Sequence, residues 1–74
     1  MHFKMKFIEY IKILKACDEE PGPIESIVRA SGFSKEIVEI SLLELGEQNL
    51  TYKDKENYWA VTDKGVKLLG ILGD

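Results

Sequence analysis

Residues 24–50 read IESIVRASGFSKEIVEISLLELGEQNL, and this stretch decides the fold. Ile24, Ile27 and Val28 recur at helical spacing and give a short helix its buried edge. Pro23 suits the first turn of the helix, where its missing N–H would be unpaired in any case, and Gly32 ends the helix. After the turn Ser31-Gly32-Phe33-Ser34, Ser34 is placed to cap a second helix, although Ile37 stands where a full capping box needs an acid. Glu36 in the first turn suits the helix dipole. Val38, Leu42 and Leu45 share one face, and the helix runs to about Gln48, where Asn49 tolerates a left-handed stop. Two helices joined by so tight a turn form a helix-turn-helix.

Outward from this pair the chain stays orderly. Upstream, Phe3, Phe7, Ile11 and Leu14 form a helical stripe that Ile8, Tyr10 and Ile13 widen. Asp18-Glu19-Glu20-Pro21-Gly22-Pro23 breaks that helix, because neither proline fits a helix interior. Downstream, 50–53 and 58–62 are rich in β-formers around Asp54-Lys55-Glu56-Asn57, a hairpin by turn chemistry. Thr62 or Asp63 caps a last helix with Val66, Leu69 and Leu72 on one side. The expected elements are helices at about 3–17, 24–31, 34–48 and 63–72, with a hairpin at about 50–62, in one domain over 1–74. The class is mainly α, as α+β.

At 74 residues and 45% hydrophobic there is room for a three-helix core and a hairpin, but not for a deep substrate cleft as well. A single cysteine, Cys17, excludes an internal disulfide and reads as a small buried apolar side chain. Lysines interrupt the only early apolar stretch, MHFKMKF, so neither a signal peptide nor a membrane span is expected. The expected location is the cytoplasm. One Cys and one His cannot make a zinc site, and no cofactor is expected. His2 is read as a terminal residue without a special role. No Ser/His/Asp or Cys/His constellation and no glycine-rich phosphate loop is present, and Glu36 and Glu39 lie on a convex helix where nothing desolvates them. The chain is therefore expected to be non-enzymatic.

Three motifs carry a family likeness. Gly32-Phe33-Ser34-Lys35 is similar to the Gly-Leu-Ser-Lys that opens the recognition helix of winged helix-turn-helix transcriptional regulators. Leu42-x-x-Leu45 followed by Asn49-Leu50 is similar to that family's Leu-x-x-Leu and Gly-Leu before the wing. Trp59-Ala60-Val61-Thr62-Asp63-Lys64-Gly65 is similar to its Tyr-x-Leu-Thr-x-x-Gly strand exit. With all three in order, the chain resembles this family, particularly its short archaeal modules, over nearly its whole length. The resemblance implies a winged helix-turn-helix fold and binding to double-stranded DNA in transcription regulation.

The outward positions of the second helix of the pair depart from that pattern. DNA-reading relatives place Ser, Thr, Arg, His or Lys there, whereas this chain has Glu36, Ile37, Glu39, Ile40, Ser41, Leu43 and Glu44. From Ser34 to Gln48, one lysine stands against Glu36, Glu39, Glu44 and Glu47, a net charge of −3. Such a helix opposes the phosphates on either side of a groove. Two expectations follow. As a DNA binder, the chain would use Arg29, Ser34, Lys35, Lys53 and Lys55 as phosphate contacts. As a protein–protein adaptor, it would present Ile40 and Leu43 as apolar anchors, with Glu36, Glu39 and Glu44 steering a basic partner. Leu68 and Ile71, with the surplus apolar residues of the first helix, would serve a homodimer.

Overall fold

The computed structural model describes the backbone of residues 2–72 and the side chains of residues 7–72. Its elements are α1 (His2–Glu19), α2 (Ile24–Ser31), α3 (Lys35–Glu47), β1 (Thr51–Lys53), β2 (Trp59–Val61) and α4 (Asp63–Ile71). The hairpin is antiparallel, with Thr51 opposite Val61 and Lys53 opposite Trp59. Helices and hairpin in this order make a mainly helical α+β structure of winged-helix type.

Local chemistry sets each boundary. Gly32 closes α2 at φ 81°, its N–H donating to the Val28 carbonyl. Ser34 caps α3, its hydroxyl accepting from the Ile37 N–H at 3.3 Å. Asn49 takes the left-handed stop, at φ 63°. In the hairpin, one Asp54 carboxylate oxygen accepts from the N–H groups of Glu56 (2.8 Å) and Tyr58 (3.0 Å). Thr62, rather than Asp63, caps α4 by accepting from the Gly65 N–H at 3.1 Å. Pro23 is the extended residue immediately before α2, which starts at Ile24.

The core joins Ile13, Leu14, Ala16 and Cys17 of α1 to Ile27, Val38, Leu42, Leu45, Leu50, Trp59 and Leu69. Three expectations about it need correction. The stripe of α1 was expected through Phe7, yet Phe7 and Ile8 are exposed and burial is concentrated in the C-terminal half. An 18-residue helix is about 27 Å long, and the 8 and 13 residues of α2 and α3 span only about 12 and 20 Å, so its first turns outrun their cover. Phe3, Lys4, Lys6 and His2 lie outside the residues whose side chains are described.

In α4 the expected row Val66–Leu69–Leu72 is not the buried one: Val66 and Leu72 are exposed, while Gly65 and Leu69 are buried and Leu68 packs on the core. The close approach of Gly65 to the Leu50 carbonyl fixes this rotation, since a Cβ there would lie 2.6 Å from that oxygen. At Gly70, by contrast, a Cβ would meet nothing within 4 Å. Finally, the segment between α1 and α2 is more than a helix breaker. Gly22 forms a one-residue antiparallel bridge to Trp59, donating to its carbonyl at 3.0 Å and accepting from its N–H.

Candidate nucleic-acid or protein interface

The first turn of α3 and the hairpin face each other across a cleft of about 340 Å³, with Pro23 and Ile24 at one end. Lys35, Glu39 and Leu43 supply one wall, and Lys53, Glu56, Asn57 and Trp59 the other. Helix periodicity explains the first wall, because positions 35, 39 and 43 recur every four residues. Strand alternation explains the second only in part: Thr51 points inward with its hydroxyl on the Leu42 carbonyl at 3.0 Å, and Tyr52 points outward. Lys53 lies with its ammonium 5.4 Å from the centre of the Trp59 ring.

Electrostatically the cleft is mixed. Lys35 and Lys53 stand against Glu25, Glu39 and Glu56, two cations and three anions, for a net of −1. Lys35 Nζ is 3.8 Å from Glu25 Oε2, and both side chains are well exposed, so water and salt screen this pair and Lys35 can exchange it for another anion.

Of the five residues expected to touch phosphate, Lys35 and Lys53 come together in the cleft. Lys55 is exposed on the hairpin turn. Ser34 spends its acceptor on the helix cap. Arg29 is exposed on α2 but does not line the cleft.

The five residues of the protein-docking expectation divide as well. Glu36, Glu39, Ile40 and Leu43 are exposed along the outer face of α3, Ile40 by 56% and Leu43 by 53%. Glu44 is not with them. It sits beside buried Leu45 on the flank toward α1, and its Oε1 is buried without a hydrogen-bond partner among the described residues. At 100° per residue, Glu44 falls about 100° round the helix from Leu43, which turns it off the outer face. Glu47 takes the outer place instead. Tyr52 was overlooked. It is half exposed and shares with Leu43 and Glu47 a second, shallower hollow between α3 and β1. The alternation Thr51-in, Tyr52-out was the signal for it.

The chain matches no protein-family model and no curated protein sequence. Among the described residues, no group of three or more His, Cys, Asp or Glu side chains could hold a metal ion. Burial, with Asp18 adding its charge, pushes the Cys17 thiol from 9.0 up to about 12, so it stays protonated at neutral pH. Among the described residues, no helix is long and apolar enough to cross a membrane.

Proposed function

We propose that this chain is a duplex-DNA-binding module of the transcription-regulator type, which grips the phosphate backbone rather than reading bases. The observation that carries the reading is the presence of Lys35 and Lys53 on the two walls of one cleft between α3 and the hairpin. In a winged helix these two elements are the ones that meet the duplex. Lys55 and Asn57 on the turn extend the same surface toward a neighbouring phosphate. The carboxylates of Glu36 and Glu39 keep the helix from settling deep in a groove.

The test is a fluorescence-polarisation titration of a labelled random-sequence duplex at low and then physiological salt. The Lys35 and Lys53 contacts give about −1.8 of the log–log salt slope, to which Lys55 adds, with micromolar affinity at low salt. Replacing both Lys35 and Lys53 with Ala removes their share of the slope. Absence of binding at low salt refutes the reading.

A second reading is supported by one observation of its own: Ile40 and Leu43 are exposed on α3 among Glu36, Glu39 and Glu47, and Leu43 shares a hollow with Tyr52. Apolar anchors inside an acidic rim suit a basic protein partner. Glu39→Arg separates the two readings, since it strengthens duplex binding but weakens association with a basic protein.

A further inference from the structure

On the flank of α3 opposite the cleft, a trough runs between α1, α3 and α4. Its first part, about 320 Å³, has Phe7, Tyr10 and Leu14 of α1 on one side and Glu44 and Glu47 of α3 on the other. Leu45, Leu50 and Leu68 also line it. A second hollow of about 320 Å³ shares Gln48, Leu50 and Leu68 with the first and is completed by Lys64, Lys67 and Ile71. The two hollows are thus continuous, with an apolar middle, an acidic end at Glu44 and Glu47, and a basic end at Lys64 and Lys67.

Three features of this surface are unexplained by an isolated chain. Phe7 is 56% exposed and Ile71 is 80% exposed at the two ends of the trough. Glu44 Oε1 is withdrawn from water with no donor among the described residues, and such an atom costs free energy until a donor reaches it. The charges, finally, are sorted by end.

We propose that a second copy of this chain covers the trough, related by a two-fold axis passing near Gln48 and Leu68. A two-fold interface must be complementary to itself, with each patch meeting its own inverted image. A patch that is acidic at one end, apolar in the middle and basic at the other meets that condition: inversion lays each acidic end on the partner's basic end. Glu44 and Glu47 of each copy then meet Lys64 and Lys67 of the other, and Phe7 and Ile71 leave water together. Leu68, expected in such a contact, takes part only as floor, because it packs on its own core. The proposal goes beyond the DNA reading and stands without it.

Sedimentation velocity across the micromolar range, without DNA, tests it. The wild-type chain is expected to dimerise. Glu47→Lys and Lys67→Glu each replace two symmetry-related ion pairs by like-charge contacts, raising the dissociation constant about tenfold. Both residues are exposed, so neither change threatens the fold. Mixing the two variants is expected to restore dimer as a heterodimer, since both contacts between positions 47 and 67 then join opposite charges again. Ile71→Asp is expected to leave monomer. A wild-type monomer at every concentration overturns the proposal, as do single variants that dimerise like wild type or a mixture that fails to recover.

Discussion

The same substitution at two glycines of α4 should have opposite signs. At Gly70→Ala the new methyl meets nothing within 4 Å, so only helix propensity and the lost freedom of the unfolded chain count. The expected gain is about 0.5–1 kcal/mol. At Gly65→Ala the same gain is opposed by a contact of 2.6 Å with the Leu50 carbonyl oxygen and by a clash with Val61 Cγ1. Ordinary contact begins near 3.4 Å, so the deficit against the oxygen is 3.4 − 2.6 = 0.8 Å. A backbone carbonyl cannot rotate away, and this one also accepts from the Thr62 N–H at 3.0 Å, the bond that joins the hairpin to α4. Overpacking typically costs 1–3 kcal/mol, and the upper part of that range applies here because backbone must move; the net effect is a loss of about 2 kcal/mol. For a chain this small, each kcal/mol shifts Tm by roughly 4–8 °C, so the two variants should melt at least 10 °C apart. Thermal and urea unfolding followed by far-ultraviolet circular dichroism measure both. If Gly65→Ala is as stable as wild type, the close approach that sets the rotation of α4 is wrong.

Other outcomes follow from the same geometry. Ser34→Ala removes the acceptor for the Ile37 N–H and should lower stability by about 1 kcal/mol in urea unfolding, while Ser34→Asp should retain most of it. Cys17 should react with a disulfide reagent at pH 8 about a thousandfold more slowly in the folded chain than in denaturant, following the rise from 9.0 to about 12. That raised value also means the unfolded chain loses its thiol proton first. Stability is therefore untouched below pH 9 and falls as pH rises from 9 toward 12, by up to about 1.4 kcal/mol per unit; Cys17→Ala should abolish this contribution in a pH series of unfolding curves. Glu39→Arg should tighten duplex binding about fivefold to tenfold at low salt and steepen the salt slope by about 1. A flat response in polarisation would remove α3 from the DNA surface.

Element boundaries were legible because each depends on a rule acting over a few residues. A hydroxyl at Ser34 or Thr62 accepts from the turn that follows it, and a left-handed residue at Gly32 or Asn49 ends the turn before it. The face that α3 buries was legible for the same reason. Periodicity could not reveal which turns of a face are covered, and there the reading failed: Phe7 continues the α1 stripe into solvent, and Val66 shares a spacing with Leu69 but not its burial. The Gly22–Trp59 bridge joins residues far apart in sequence, and no local signal announces it. The candidate interface was half legible. Its lysines could be named as types, but the meeting of Lys35 with Lys53 across a cleft, and the turning of Glu44 away from it, depend on how α3 rotates against α1 and the hairpin.

Trp59 is the only tryptophan in the chain. Its indole is largely buried, borders the cleft, and has the Lys53 ammonium 5.4 Å from its ring centre, while its backbone pairs with Gly22. The molecule thus carries its own optical gauge. An anion that draws Lys53 toward itself alters the field across the indole and with it the emission colour. Loosening of the Gly22 pairing instead admits water to the ring and shifts the emission to the red. Occupancy of the cleft and opening of the fold are two separable signals from a single unlabelled side chain.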